Sequence, residues 1–248
     1  MDRPKLNFTL DSAKEAIRIF SKNPIALVNY IDKGTRYSVD QQIYQLCDFL
    51  GWNQWGIGQY LTQIRGNRGF QNVLKTRLGE VNYGQMVCPE LLYVVVRKLC
   101  PDKVVETGVS AGVSSAYILQ ALEDNQNGEL YSIDLPNTAI FEAKEVTRTG
   151  FAIPEWLLNR WTLQLGNSQD LLCPLLKDIG KIDLFLHDSE HSYNNMQWEY
   201  ETAWMNLKEN GLIMSHDIND NTAFRDFARC VKRKYIEIFF TGVGVIKK

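Results

Sequence analysis

The sequence predicts an α/β fold in which a doubly wound, mainly parallel sheet follows an N-terminal helical segment. Two observations lead to this prediction. Apolar residues recur at helical spacing from Leu10 to about Gly79, and from Lys103 onward short apolar runs alternate with longer amphipathic stretches. Strands separated by helical patterns are typical of βαβ units, whose strands lie parallel in one sheet.

The N-terminal segment, residues 1–86, is predicted to hold four short helices and to act as a helical cap or a dimerisation segment. Ser38 and Gln41 have the spacing of a capping box before "IYQLCDFL", and Gly51 follows that run as a stop signal. The aromatic residues of this segment could form a ligand surface, but helical spacing favours a packing stripe. These residues are Tyr30, Phe49, Trp52, Trp55 and Tyr60. Trp52, Trp55 and their neighbours would form a homodimer surface if they are exposed.

The remainder, residues 87–248, is predicted to form the sheet domain. A proline at residue 89 suits the first turn of a helix that "LLYVVVRKLC" continues to Pro101. Five predicted parallel strands follow: "KVVET", "LYSID", "WTLQL", "IDLFLHD" and "GLIMSHD". The closing stretch "YIEIFFTGVGVIKK", broken at Gly242, predicts a hairpin with an antiparallel strand at the edge, which completes seven strands.

Composition argues against several classes of protein. A net charge of -2 over 248 residues gives no general attraction for nucleic-acid phosphates. No apolar run reaches the roughly 20 residues of a membrane span, and the N-terminus has no signal-peptide pattern. The five cysteines contain no C-x-x-C pair, which predicts reduced core thiols. We expect a cytoplasmic protein that binds neither nucleic acid nor membranes.

The stretch "KVVETGVSAGVSSAYIL", residues 103–119, predicts a buried strand, a glycine turn and the start of a helix. Within it "GVSAG" also spells G-x-S-x-G, where a serine hydrolase would use Ser110 as nucleophile. This interpretation is disfavoured because no oxyanion loop of the HGGG type precedes Val104 and because Glu106 would oppose an oxyanion. A dinucleotide fingerprint fails too, since Ser110 and Val113 replace two of its glycines.

Polar residues follow five successive predicted strands, where doubly wound sheets bind ligands. They are Glu106, then Asp134, then Ser168, then His187 and Asp188, then His216 and Asp217. The chain's three histidines, which include His191, all lie in or beside the loops after the fourth and fifth strands. The sequence therefore gathers its candidate functional groups at one edge of the sheet.

These motifs resemble those of class I S-adenosylmethionine-dependent methyltransferases. "VVETGVSAGVSSAYIL" is similar to the first motif of that family, "LYSID" to the second and "LGNSQDLL" to the segment that contacts adenine. "IDLFLHDSEHSY" and "LKENGLIMSHDI" are similar to the fourth and fifth strands with their substrate-side loops. The resemblance covers about residues 87–248 and is strongest toward small-molecule O-methyltransferases of the catechol and macrolide-sugar type. It implies a Rossmann-like fold and a methyl-transferring enzyme of the EC 2.1.1 type.

The resemblance implies that S-adenosylmethionine binds at the ends of the first three strands. The cofactor has no phosphate, so its loop needs close backbone approach, which glycine permits. Glu106 would lie near the methionine moiety, Asp134 at the ribose hydroxyls, and Ser168 and Gln169 beside the adenine. The remaining implied cofactor residues are Gly108, Ser110, Ala111, Gly112 and Asp188. As alternatives, Asp134 could cap the next helix and Ser168 could cap the helix "QDLLCPLL".

On the acceptor side, metal-dependent members of the resembled family bind Mg²⁺ through acids in the positions of Asp188 and Asp217. The residue in the position of His191 is their general base. The resemblance therefore implies His191 and Asp188 as catalytic residues. In a metal-free mechanism, which stays open, Asp188 would position the cofactor or the acceptor.

The sequence departs from the metal pattern beside Asp217, where the family has a second oxygen ligand. Asn219 or Asp220 could substitute and complete an Mg²⁺ site. Alternatively His216 could coordinate, which would favour Mn²⁺ or another transition metal.

The predicted reaction is methylation of a hydroxyl on a small molecule, a sugar or a phenol, under the N-terminal segment, which we expect to close over the acceptor. Two other classes stay open: a serine hydrolase acting through Ser110, and a protein that binds the cofactor without catalysis.

Overall fold

The computed structural model of the protein describes residues 39–79, 88–136, 148–239 and 241–248, except for the side chain of Trp55. Ser38 of the predicted capping box, Tyr30 and the first predicted helix lie outside these residues.

Three helices make up the described part of the N-terminal segment: α1 (Val39–Leu50), α2 (Gln54–Gly66) and α3 (Arg68–Leu78). Helix α1 ends as predicted at Gly51, whose φ of +69° lies in the left-handed region that glycine adopts at low cost. Phe49, Trp52 and Tyr60 are half-buried against the core, which supports the packing-stripe interpretation. The homodimer stays a prediction.

Helix α4 (Glu90–Leu99) leads into the sheet domain, where seven strands alternate with helices. The order along the chain is β1 (Lys103–Thr107), α5 (Val113–Asn125), β2 (Glu129–Asp134), a 3₁₀ helix (Glu155–Arg160), β3 (Trp161–Leu165), α6 (Ser168–Ile179), β4 (Ile182–His187), α7 (Tyr193–Asn206), β5 (Leu207–Ser215), α8 (Ala223–Cys230), β6 (Tyr235–Ile238) and β7 (Val243–Lys247).

The sheet has the strand order β3-β2-β1-β4-β5-β7-β6. Strands β1 to β5 pair in parallel, and β7 is antiparallel to both β5 and β6. The predicted doubly wound sheet with an antiparallel C-terminal strand is therefore confirmed. The placement of that strand at the edge is wrong. Strand β7 lies between β5 and β6, and its Val245 and Ile246 are completely buried, whereas Tyr235 and Ile236 of β6 are half-buried, as suits an edge.

The core lies on both faces of the sheet because neighbouring strand residues are apolar on both sides. Val104 and Leu184 face the helices from α1 to α5, whereas Val105 and Phe185 face α6, α7 and α8. All four side chains are completely buried. Such continuous apolar runs are typical of a parallel sheet that helices cover on both faces.

Helix α1 covers the exposed edge of β6. Gln42 Nε2 donates to the carbonyl of Phe239 over 3.0 Å, and Gln45 Nε2 donates to that of Glu237 over 3.1 Å. Gln45 Oε1 in turn accepts from the Phe239 N–H at 3.0 Å. These bonds satisfy edge groups that would otherwise offer a pairing template, and they fix α1 beside the turn between β6 and β7.

Two predictions from composition can be compared with the structure. All five cysteines are free, as predicted, but only Cys47 and Cys88 are buried. The prediction that the thiols lie in the core is wrong for the other three cysteines. These three are exposed at helix ends or on a helix surface, and they are Cys100, Cys173 and Cys230. Within the described ranges, no helix combines the length and apolar character that crossing a membrane requires.

Candidate active site

The loop after β1 turns through three residues in the left-handed region: Gly108, Ser110 and Gly112 have φ values of +86°, +51° and +91°. A Cβ on Gly108 would overlap the backbone carbonyl of Asp188, and one on Gly112 would lie 2.7 Å from Cγ1 of Ile153. Both positions therefore require glycine. The glycines thus permit close packing of this loop against other residues of the same chain.

Asp134 at the end of β2 faces this glycine loop. Its Oδ2 accepts the Ser110 N–H at 2.8 Å, and its Oδ1 accepts the Leu135 N–H at 2.9 Å. Burial raises the pKa of the Asp134 carboxyl. The carboxylate is only half-buried and has lone pairs left for a diol. Capping of a helix after Pro136 by Asp134 stays a prediction, because residues 137–147 lie outside the described part.

Glu106 lies beneath the glycine loop rather than in its opening. The residue is completely buried, and its carboxylate accepts from the hydroxyls of Ser114 and Ser115 at 2.6 Å each and of Ser132 at 2.9 Å. Burial raises its pKa to about 7, even though these three bonds favour the ionised form. Glu106 thus joins β1 to α5 and β2, and a contact with the methionine moiety stays a prediction.

The predicted adenine residues lie at the start of α6. The helix cap is Asn167, whose Oδ1 accepts from the Gln169 N–H at 2.9 Å, so the suggestion that Ser168 caps this helix is wrong. Asn precedes Ser in the run "GNSQD", and either type can cap. The Ser168 hydroxyl helps to lower the pKa of Glu199, and Gln169 Nε2 donates to Asn195 Oδ1 at 3.3 Å. Adenine contact by Ser168 and Gln169 stays a prediction.

Four titratable side chains meet beyond the ends of β4 and β5. One ligand atom from each lies within 4.8 Å of the others, and we call this group the Asp188 cluster: Asp188, His191, His216 and Asp217. His216 Nδ1 lies 3.1 Å from Asp188 Oδ1 and 3.2 Å from Asp217 Oδ2. His191 Nδ1 lies 3.4 Å from Asp217 Oδ2, and its Nε2 lies 3.7 Å from Asp188 Oδ1.

In the cluster, the aspartates favour the protonated form of the histidines, and the histidines favour the ionised form of the aspartates. Burial opposes the protonated form of His216, but the hydrogen bonds to both aspartates outweigh it and raise the pKa to about 10. The Asp188 carboxylate, 3.7 Å from His191 Nε2, likewise raises the pKa of His191 against the effect of burial. Burial would raise the pKa of Asp188, yet its two histidine partners lower it, and the bond to His216 lowers that of Asp217.

The cluster fits a divalent cation through two nitrogen and two oxygen donors. In the part of the chain that the structure describes, Nε2 of both His191 and His216 is buried without a hydrogen-bond partner. Of the two ways to replace the missing oxygen ligand, the structure brings in His216. Asn219 and Asp220 are exposed, and Asn219 Oδ1 accepts from Arg225 Nη2 at 3.4 Å. Mixed imidazole and carboxylate donors suit a transition metal better than Mg²⁺.

The third histidine, His187, belongs to a separate buried network centred on Glu199 of α7. His187 Nδ1 lies 2.7 Å from Glu199 Oε2, which also accepts from the Thr107 hydroxyl at 2.5 Å. Glu199 Oε1 accepts from the Ser189 hydroxyl at 2.8 Å and from Asn195 Nδ2 at 3.2 Å. Burial would raise the pKa of Glu199, but these partners lower it.

The Glu199 network ties together the ends of β1 and β4 and the loop that carries Asp188 and His191 of the cluster. It was not predicted from the sequence, where the only signal was the i, i+4 spacing of Asn195 and Glu199 on one helix face.

Ser110 shows no sign of a hydrolase arrangement. Among the described residues, the histidines pair with Asp188, Asp217 and Glu199. A nucleophilic serine needs a histidine base within hydrogen-bond reach, so the hydrolase alternative lacks its second residue.

Solved structures with the same fold are methyltransferases. The O-methyltransferase from Bacillus cereus in complex with S-adenosylhomocysteine is 12% identical and matches over 77% of this chain and 96% of its own, with a TM-score of 0.52. The O-methyltransferase TomG from Streptomyces achromogenes, involved in tomaymycin synthesis and solved with S-adenosylmethionine, is 13% identical over 73% and 90%, with a TM-score of 0.54. At these identities the likeness establishes the fold.

Sequence comparison adds a likeness over part of the chain. No curated protein matches this chain significantly. Residues 105–218 match the family model described as a methyltransferase domain, and this range includes the glycine loop, Asp134 and the whole Asp188 cluster. The match covers a little under half of the chain, so residues 105–218 are similar in sequence to a methyltransferase domain, and the solved structures extend the likeness in fold to most of the chain.

Proposed function

We propose that this protein transfers the methyl group of S-adenosylmethionine to a hydroxyl of a small molecule, a sugar or a phenol, with His191 as the general base. The cofactor residues would be those predicted from the sequence, with Gly108 to Gly112 and Asp134 at the centre. The Asp188 cluster would receive the acceptor.

The contact between the glycine loop and the Asp188 cluster carries this proposal. Because the glycine loop, residues 108–112, would hold the methyl donor, we also call it the donor loop. The Asp188 N–H donates to the Thr107 carbonyl at 2.8 Å, and Gly108 packs directly on the Asp188 carbonyl. A methyl donor above the glycine loop and an acceptor oxygen at the cluster would thus be neighbours. Holding two reactants in line supplies a large part of the acceleration in such transfers.

His191 would take the proton of the acceptor hydroxyl. It is half-buried, and its Nε2 is a buried nitrogen without a partner among the described residues. Its raised pKa, caused first by Asp188, favours the protonated imidazole, which cannot accept a proton. A positive group that engages Asp188 and Asp217 would therefore favour its action as a base.

We propose that Asp188, Asp217 and His216 hold a divalent transition-metal ion, such as Mn²⁺. A cation bound there would lower the pKa of the acceptor hydroxyl and neutralise the two aspartates. The two carboxylates and His216 Nδ1, which faces both of them at 3.1 and 3.2 Å, support this assignment over an all-oxygen Mg²⁺ site.

The N-terminal segment, residues 1–86, would form part of the acceptor wall. Gln42 and Gln45 fix α1 to the strand that leads into the turn before β7. A side chain at Gly242 in that turn would begin 3.7 Å from Asp217 Oδ1. Helix α1 is thus linked to the Asp188 cluster through one short turn.

Transfer of a labelled methyl group from S-adenosylmethionine to a panel of sugars and phenols tests the proposal. Chelated protein should be inactive, and Mn²⁺ should restore activity better than Mg²⁺. Activity that survives exhaustive chelation would rule out the metal. A protein that binds S-adenosylhomocysteine yet methylates no hydroxyl in the panel would contradict O-methylation.

His191→Ala separates a base from a metal ligand. If His191 is the base, turnover should fall by roughly 10² to 10⁴ while the affinities for Mn²⁺ and S-adenosylhomocysteine stay unchanged. A loss of Mn²⁺ affinity would make it a ligand, and an unchanged rate would remove its role. Glu190→Gln is the matched control, since this exposed side chain lies in the same loop outside the cluster.

A further inference from the structure

We propose that Arg77, on helix α3 of the N-terminal segment, is a positioning residue of the methyl-donor loop. It would act through the stretch from residue 148 to residue 155, which we call the buttress. The inference rests on the proposed donor site and is independent of the acceptor and of the metal.

Arg77 binds the buttress at three points. Its Nη1 donates to the carbonyl of Ile153 at 2.6 Å and to that of Phe151 at 3.3 Å. Its Nη2 forms an ion pair with Glu155. The planar guanidinium suits this role because its N–H groups point in fixed directions at several acceptors. One side chain of α3 thereby fixes the path of five consecutive residues, 151 to 155.

The buttress in turn binds the middle of the glycine loop. The Gly150 N–H donates to the Ser110 carbonyl and the Ala152 N–H donates to the Ala111 carbonyl, both at 2.9 Å. The Ile153 side chain packs on Gly112. Carbonyls of residues 151 and 153 therefore face Arg77, while amides of residues 150 and 152 face the donor loop.

The donor loop needs such support because its backbone is unfavourable. Ser110 has a φ of +51°, a conformation that residues other than glycine rarely adopt. Sparsely populated conformations persist only where their surroundings hold them. The two amides of the buttress bind the carbonyls at this bend, and the Ser110 N–H is the group that binds Asp134. If the buttress loosens, the Asp134 end of the donor site loses its preorganisation, and cofactor affinity falls.

Arg160 offers a matched control for Arg77. It also pairs with one acid, Glu123, at 2.6 Å and donates to one carbonyl, that of Gly128, at 3.2 Å. Its side chain is 21% exposed, against 24% for Arg77. Its partners lie at the opposite end of α5 from the glycine loop. Loss of either arginine removes comparable contacts, but only Arg77 leads to the donor loop.

The test is calorimetric titration of S-adenosylhomocysteine into the wild-type protein, Arg77→Ala and Arg160→Ala, with urea unfolding of each. Arg77→Ala should raise the Kd by about tenfold or more, while Arg160→Ala should leave it within about twofold of wild type. The urea concentration at the midpoint of unfolding should fall by a similar amount in the two variants. Wild-type affinity in both variants would overturn the proposal. An equal loss of affinity in both variants would also overturn it, because it would indicate general destabilisation.

Two further measurements keep the proposal falsifiable. Arg77→Lys keeps the charge but loses the planar fork, so its Kd should lie between those of wild type and Arg77→Ala. A wild-type Kd in Arg77→Lys would count against the proposal. If Arg77→Ala does not fold, the Kd of Arg77→Lys is the measurement that tests the proposal. Hydrogen exchange at the Gly150 and Ala152 amides should accelerate in Arg77→Ala and stay slow in Arg160→Ala. Absence of binding by the wild-type protein would instead refute the donor site itself.

Discussion

Replacing Gly112 by alanine should damage the donor loop far more than an ordinary glycine replacement. A Cβ at this position would lie 2.7 Å from Ile153 Cγ1 and 2.9 Å from the Gly150 Cα. The backbone of Gly150 cannot easily recede, because Gly150 is itself packed on the Trp161 ring. The loop or the buttress must therefore move.

The size of the effect follows from two contributions. Placing alanine in the left-handed region costs about 1–2 kcal/mol, and forcing an extra methyl group into a packed site costs about 1–3 kcal/mol. Gly112→Ala should therefore lower the free energy of unfolding by about 2–5 kcal/mol. Gly51→Ala supplies the control. Gly51 also has a left-handed φ, +69°, but nothing lies within 4 Å of its Cβ position, so only the first contribution applies.

Urea unfolding of both variants measures these costs, and calorimetric titration with S-adenosylhomocysteine measures the displacement of the loop. Gly51→Ala should bind like wild type, whereas Gly112→Ala should bind at least about tenfold more weakly, a loss of about 1.4 kcal/mol. If Gly112→Ala is no less stable than Gly51→Ala and binds as well, the argument from close packing is refuted.

Two further predictions concern buried charge and the metal. The pKa of Glu106 is about 7 in the folded chain against 4.5 as its ordinary value, so the folded state binds the proton more tightly than the unfolded state. The contribution of Glu106 to the free energy of unfolding is therefore lost as pH rises from 4.5 to 7. The loss amounts to at most about 1.4 kcal/mol per pH unit. Urea unfolding at several pH values should show this decline in wild type relative to Glu106→Gln; parallel curves would contradict it. His216→Ala should weaken Mn²⁺ binding by about tenfold or more, with S-adenosylhomocysteine affinity in the absence of metal unchanged, and an unaltered Mn²⁺ titration would exclude His216 as a ligand.

The sheet and the donor loop could be predicted from sequence because local patterns determine them. The apolar runs at β1 and β4 are continuous, as strands buried on both faces must be, and the glycines of "ETGVSAG" mark the left-handed turn. Asp134 directly follows a buried strand, so its place beside the loop followed from the parallel arrangement. The Asp188 cluster was foreseen for the same reason, since it lies at the ends of two neighbouring strands.

Features that depend on distant partners could not be predicted. Glu106 resembled a ligand contact by its position at a strand end, but three hydroxyls from α5 and β2 enclose its carboxylate. Ser168 looked like a helix cap, yet Asn167 caps this helix and the Ser168 hydroxyl helps to lower the pKa of Glu199 on α7. Strand β7 enters the sheet between β5 and β6 because its residues are buried on both sides, which a hairpin pattern alone does not reveal.

The measurement that tests the account most directly is a calorimetric titration of the whole protein with S-adenosylhomocysteine, repeated with Asp134→Ala and with Asp178→Ala, an exposed acid on α6, as control. The account predicts one site per chain with a Kd of about 1 μM, or about −8.2 kcal/mol, lost in Asp134→Ala and retained in Asp178→Ala. Absence of binding by the wild-type protein, or equal binding by both variants, would contradict a donor site formed by the glycine loop and Asp134.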